Sequence, residues 1–172
     1  MITKPKIEFR AEQTYAAIRA KVAVPFGSVL GDLWGEVQTW LASQEAAMTG
    51  AALIRYLTTD MSKELDIEVG FLVAEALPGK SRISAGILPA GRYAVLSYTG
   101  PYQGDGIYRA NIALIEWAKQ NHIVWQMSTQ DNVEWWGGRA EIYLTDPEKE
   151  PDSKKWRTEL VFLVADGETA GN

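Results

Sequence analysis

The sequence predicts an α+β fold: two strand-helix-strand-strand repeats related by a pseudo-twofold axis, forming antiparallel sheet with two main helices. Three observations carry this prediction. The chain repeats itself in order, each copy holds one segment with a helical apolar period among strand-like runs, and no Pro-rich or Ser-rich linker divides the copies.

The repeat is clearest where Ile67 to Ala74 aligns with Thr158 to Ala165, with Glu, Phe, Leu, Val and Ala matching at an offset of 91. Upstream, Tyr56-Leu57-Thr58 aligns with Tyr143-Leu144-Thr145, Trp40 with Trp117, and Tyr15-Ala16 with Tyr93-Ala94. The offsets run 78, 77, 87 and 91 along the chain, as insertions in the later loops of the second copy would produce. The copies span about 6–78 and about 84–166 within a single domain, and 167–172 is expected to be a flexible tail.

In the first copy Ile7 to Val24 is an interrupted strand. Ser28 to Met48 is a helix, because Leu30, Leu33, Trp34, Val37, Leu41 and Met48 recur at helical spacing. Ser28 is the expected N-cap and Gly50 the expected stop. Strands Ala51 to Thr58 and Leu65 to Glu75 follow, and Leu77 to Ser84 is a connection. In the second copy Arg92 to Thr99 is a strand, Asp105 a cap and Ile107 to Asn121 a helix. Val133 to Thr145 and Arg157 to Ala165 are the closing strands. Gly100-Pro101 and Asp146-Pro147 mark turns.

Composition narrows the function. Of the 172 residues 47% are apolar and 23% charged, which suits a folded domain that needs no staple. The absence of cysteine removes disulfides, thiolate zinc sites and thiol nucleophiles. Seventeen Lys and Arg against 22 Asp and Glu give a net charge of -5 without a basic cluster, so direct nucleic-acid binding is not expected. The start lacks a greasy leader and no apolar run is long enough to span a bilayer, so a cytoplasmic chain without membrane contact is expected. Seven Trp and seven Tyr outnumber four Phe, a bias toward rings with a polar handle and a cation-attracting face.

Several motifs carry no chemistry. Ala74 to Ser81 loosely resembles a phosphate loop, but Gly86, Pro89 and Gly91 argue against the helix that must begin at its lysine. The single histidine, His122, falls at the end of the second helix. Without a second histidine or a nucleophile elbow, neither a serine triad nor a histidine metal site is supported, and no metal or cofactor is expected. The tract of Asp146, Glu148, Glu150 and Asp152 lacks the spacing of a calcium loop and is expected to be a solvated loop.

One constellation stands out. In the strand around Glu141, alternation groups Ala140, Ile142 and Leu144 on one side, expected to be the helix-covered one, and Arg139, Glu141 and Tyr143 on the other. Trp135 joins the second side, or Trp136 replaces it if Gly137-Gly138 forms a bulge. The first-copy counterpart of Glu141 is Ile54, so only one copy carries the acid. The plainer reading is a surface glutamate paired with Arg139 or Arg55. Gly27, Gly31 and Gly35 add a small-residue face at the start of the first helix, where close packing or a ligand would explain them, as would a frayed helix start.

The run Leu88 to Val95, then Tyr98-Thr99-Gly100-Pro101-Tyr102, a helix bearing Trp117, and Glu141 to Pro147 resembles the GyrI-like effector-binding domains, the small-molecule-binding family shared with AraC-type regulators. The resemblance implies a ligand cleft between the two repeats, with Glu141 as the acid at the bottom of an aromatic pocket for lipophilic cations. Unlike the regulators, this chain begins its first strand within ten residues of the start, so a stand-alone member without a DNA-binding domain is expected. The leading reading is a binder of amphipathic, cationic small molecules, used in drug or toxin sensing or sequestration. Glu141 supplies charge, and Phe26, Trp34, Tyr56, Tyr98, Trp125, Trp135 and Tyr143 supply stacking surface. The alternatives are a cofactor-free hydrolase of strained alkylating compounds, with Glu141 and Tyr143 catalytic, and a gyrase-inhibitor-like module that binds a protein partner through Asp146 to Asp152.

Overall fold

The structure, a computed structural model, describes residues 1–44, 50–60 and 64–166. Met48 and the 167–172 tail lie outside them. In chain order the elements are β1 (Lys6–Arg10), β2 (Gln13–Ala23), α1 (Gly27–Ser43), β3 (Ala52–Asp60), β4 (Glu64–Leu72), β5 (Ile83–Leu88), β6 (Gly91–Thr99), α2 (Gly106–Gln120), β7 (Met127–Gln130), β8 (Val133–Trp136), β9 (Arg139–Tyr143) and β10 (Arg157–Leu163). The described strands form one sheet ordered β1-β6-β10-β9-β3-β4-β2-β5, with β8 against β3 and β7 against β8. Every strand pairing is antiparallel.

The two repeats meet where β3 pairs with β9: Leu53 faces Ile142, Ile54 faces Glu141 and Arg55 faces Ala140. The repeat offset of 87 equates Ile54 with Glu141. A residue that faces its own counterpart lies on the pseudo-twofold axis, so Glu141 sits at the symmetry centre of the molecule. The helices obey the offset of 77. Leu33, Val37 and Leu41 of α1 and their counterparts Ala110, Leu114 and Ala118 of α2 are all buried.

Strand alternation separates the core into layers. Ala16, Ile18, Ile54, Tyr56, Ile67, Val69 and Tyr143 pack beneath α1, and Ala94, Leu96, Leu160 and Phe162 beneath α2. The opposite parity, with Tyr15, Leu53, Tyr93, Ala140, Ile142 and Leu163, makes a layer that includes no helix residue. Ala140 and Ile142 therefore lie on the helix-free face, the reverse of the sequence expectation, and Leu144 is exposed beyond the end of β9. Alternation tells which residues share a face, not which face the helices cover.

Other expectations change in detail. The interrupted first strand is two strands serving different repeats: β1 joins β6, and β2 lies between β4 and β5. The N-cap of α1 is Phe26, not Ser28, and its C-cap is Gln44, not Gly50. Asp105 does cap α2, but its carboxylate pairs with Arg109 instead of a helix N–H. Edge strand β5 begins inside the expected connection Leu77 to Ser84 and runs on to Leu88, and neither it nor β7 was expected; both are short and interrupted by polar or glycine residues. The run Val133 to Thr145 breaks at Gly137-Gly138 into β8 and β9. No helix follows Lys80, which exchanges backbone hydrogen bonds with Ile83 across a tight turn. His122 takes φ 55° just past α2, where the Ile123 N–H returns to the Ala118 carbonyl and ends the helix.

Gly70 of β4 allows a close approach that matters for the site. A Cβ there would collide with the Ala16 carbonyl and Ala17 Cα, while the Gly70 carbonyl accepts the Trp34 indole N–H at 3.1 Å. Gly70→Ala is expected to cost about 1–3 kcal/mol in urea unfolding with an unchanged m-value. Wild-type stability in this variant would show that β2 and β4 are not held this tightly.

Candidate functional site

Three strand residues and one helix residue build the centre of the site. Glu141, on the axis, is 5% exposed. Tyr56 and Tyr143, repeat counterparts on β3 and β9, donate to opposite carboxylate oxygens: Tyr56 to Oε2 at 2.9 Å and Tyr143 to Oε1 at 2.7 Å. Period-two alternation brings both tyrosines to the acid's face, and the axis places them on either side of it. Asn111 of α2 donates Nδ2 to Oε2 at 3.2 Å. The carboxylate thus receives three hydrogen bonds, all from neutral donors. The plainer reading of a surface glutamate paired with Arg139 or Arg55 does not hold. Glu141 is buried, and Arg55 is turned to Tyr15, the Ile87 carbonyl and the Gly137 carbonyl.

Burial pushes the Tyr56 and Tyr143 hydroxyls well above the ordinary tyrosine value, and the charge of Glu141 adds to the effect. Both rings therefore stay protonated as donors throughout the ordinary pH range.

The walls differ on the two sides of the axis. Beside Tyr143 stand Trp34, edge-on at 5.3 Å between ring centres, and Tyr102 at 5.1 Å. Tyr102 leans on Trp156 and is pinned by its hydroxyl to the Thr145 carbonyl at 2.6 Å. Trp156 in turn donates to the Glu150 carbonyl, so the acidic tract anchors this wall. Beside Tyr56 stands Arg139, whose guanidinium lies over the rings of Phe162, Trp136 and Tyr56. Phe26, Leu30 and Ile107 are half-buried against the core cluster that holds Tyr56 and Tyr143.

Among the residues singled out from sequence, Tyr56 and Tyr143 bond Glu141, Trp34 packs on Tyr143, and Phe26 packs against the core cluster that holds both tyrosines. Tyr98 is buried under the start of α2, against Gly100 and Gly106. Trp125 packs on Trp136 and Phe162, a layer behind Arg139. The glycine break turns Trp136 inward, leaving Trp135 47% exposed. Three contributors were missed: Asn111, Tyr102 and Trp156. The helix offset of 77 carries Trp34 to Asn111, the one available signal; Tyr102 and Trp156 sit in loops, where periodicity is silent.

Two cavities lie elsewhere, one of about 440 Å³ between Gly35, Trp40 and Lys80 and one of about 190 Å³ beside Trp135, Asp60 and Asp66. Glu141, Tyr56, Tyr143 and Asn111 line neither of them. Among the described residues nothing lies within 4 Å of where a Cβ at Gly27, Gly31 or Gly35 would be, so close packing against them does not explain those glycines. Among the described residues no group of His, Cys, Asp and Glu could hold a metal ion, and no helix is long and apolar enough to cross a membrane.

Comparison with known proteins supplies context. A family model described as GyrI-like small molecule binding domain matches residues 3–165. The C-terminal domain of EcmrR shares the fold with a TM-score of 0.76 at 20% identity, covering 94% of this chain and 97% of that one. The chain spans 57% of the EcmrR chain in its DNA complex, with a TM-score of 0.73 at 20% identity over 94% of this chain. SAV2435 bound to tetraphenylphosphonium has a TM-score of 0.61 at 10% identity, covering 97% of both chains. A hydrolase from Listeria innocua has a TM-score of 0.56 at 13% identity, covering 94% of this chain and 92% of that one. No match is found among the curated proteins. Identities this low establish shared fold only.

The buried tyrosines generate a pH prediction. In the unfolded chain they ionise near pH 10, whereas in the fold they do not. Their contribution to stability is complete below about pH 10 and is lost as pH rises beyond it. Thermal unfolding from pH 8 to 11.5 should show a decline above pH 10 that is shallower in Tyr56→Phe and Tyr143→Phe. An identical decline in the variants would place the base sensitivity elsewhere.

Proposed function

The chain belongs to the GyrI-like small molecule binding domains, and we propose that it binds amphipathic, cationic small molecules in the aromatic hollow over Glu141. One observation carries the reading: a buried carboxylate whose hydrogen bonds all come from neutral donors, walled by aromatic rings. A carboxylate has about four lone-pair sites, and Oε1 uses one, toward Tyr143. That oxygen, held by Tyr143, whose ring Trp34 and Tyr102 pack against, is where a ligand's positive charge settles.

Cation–π contacts with these rings contribute about 0.5–2 kcal/mol each, and apolar area removed from water contributes about 25 cal/mol per Å². Binding at Oε1 would move aside the rings packed on Tyr143, Trp34 and Tyr102. Tetraphenylphosphonium, the ligand of the fold neighbour SAV2435, carries the charge and the rings that this reading calls for.

The hydrolase reading uses the same residues, with Glu141 positioning water and Tyr143 polarising a carbonyl. The partner reading rests on the acidic tract, whose Asp146 and Asp152 carboxylates are engaged by local backbone N–H groups. No geometric observation favours either over binding.

Tryptophan fluorescence titrated with tetraphenylphosphonium and a neutral compound of similar ring content tests the proposal. Glu141→Gln should weaken the cation by about thirtyfold or more and change the neutral compound little. Equal loss for both would remove the electrostatic role, and recovery of a water adduct of any ligand would favour hydrolysis over binding.

A further inference from the structure

The two halves of the hollow are not equivalent, and the difference is a cation belonging to the chain. Arg139 opens β9 on the same face as Glu141. Its guanidinium carbon lies 4.4 Å from the centre of the Phe162 ring, 4.6 Å from Trp136 and 5.2 Å from Tyr56. A guanidinium has five N–H donors. One, on Nη2, reaches the Asn111 Oδ1 at 3.3 Å, while Nε is enclosed without an acceptor. Arg139 forms no ion pair among the described residues.

Asn111 holds acid and base apart while connecting them, donating to Glu141 through Nδ2 and accepting from Arg139 through Oδ1. The repeat counterpart of Arg139 is Ala52, so only the Tyr56 half carries a resident cation. The Tyr143 half offers the same kind of aromatic wall, and among the described residues no cation stacks on its rings.

We propose that Arg139 is a specificity-determining residue: it fills the Tyr56 half with a positive charge, confines the ligand's charge to the Tyr143 half, and restricts the site to molecules bearing a single positive charge. The inference rests on the binding reading above. With Arg139 and a monocation in place, one carboxylate already faces two positive charges in a water-poor hollow. A second ligand charge directed toward the Tyr56 half would meet the Arg139 guanidinium, and Glu134, the other carboxylate acting on that guanidinium, is already bonded to the Thr59 hydroxyl. Burial also pulls the guanidinium below its ordinary value, consistent with a cation held at a cost.

Three rod-shaped compounds of matched size test this: methylbiphenyl, uncharged; N-methyl-phenylpyridinium, with one charge; and dimethyl-bipyridinium, with a charge at each end. Wild type is expected to bind the monocation about tenfold or more tighter than the dication. Arg139→Met should tighten both cations, bring the two within about twofold of each other, and leave methylbiphenyl unchanged. Arg139→Lys, which keeps the charge, should keep the wild-type preference. Wild type binding the dication as tightly as the monocation would overturn the proposal, as would a folded Arg139→Met with the wild-type ratio or an Arg139→Lys that behaves like Met. If Arg139→Met does not fold, the wild-type ratio and the Lys variant still decide. Glu141→Gln binding the monocation like wild type would instead overturn the binding reading itself, and this inference with it.

Discussion

The pairing of β3 with β9 is the constraint from which the rest of the site follows. Antiparallel strands from two copies of one unit can meet symmetrically only if some residue faces its own counterpart. Here that pair is Ile54 and Glu141. The acid is thereby fixed on the axis, within reach of both helices, and the tyrosines two residues along each strand must flank it. One unsymmetrical substitution at a symmetric position turns a structural seam into a charged centre.

The energetics explain why the surroundings depart from symmetry as well. A carboxylate taken out of water costs several kcal/mol unless it is hydrogen-bonded and its charge is answered. Tyr56, Tyr143 and Asn111 supply charge-assisted hydrogen bonds. Asn111 occupies the α2 position equivalent to Trp34 of α1, and Arg139 the β9 position equivalent to Ala52 of β3. Both changes fall on the face of Glu141. Asn111 completes the acid's hydrogen bonds, and Arg139 answers its charge from a distance while resting on three rings. Trp34, anchored on Gly70, leaves the other half aromatic and uncharged.

Much of this was legible in the sequence because a repeat constrains more than periodicity does. The offset at Tyr56 and Tyr143 identified Glu141 as a position where the copies differ, but that its strand pairs with its own counterpart is seen only in the fold. Alternation correctly grouped Arg139, Glu141 and Tyr143, but it could not say which face lies under the helices, so Ala140 and Ile142 were placed on the wrong side. The Gly137-Gly138 break decides between Trp135 and Trp136, and the bend it makes depends on neighbouring strands. Tyr102 and Trp156 were invisible for a different reason. They reach the site from loops, held by hydrogen bonds to backbone carbonyls that only the folded chain brings near. Edge strand β5, carrying a glycine and covered on one side only, lacks the apolar density that identifies a central strand.

The central claim is that a ligand's charge meets Glu141 on the axis, on the side of Tyr143. A crystal structure of the complex with tetraphenylphosphonium tests it directly. The account predicts the phosphorus nearest to Oε1, phenyl rings against Trp34, Tyr102 and Tyr143, and Arg139 still stacked on Phe162 and Trp136. Density for the ligand in the cavity lined by Gly35, Trp40 and Lys80, with Trp34 and Tyr102 packed on Tyr143 as they are here, would contradict it.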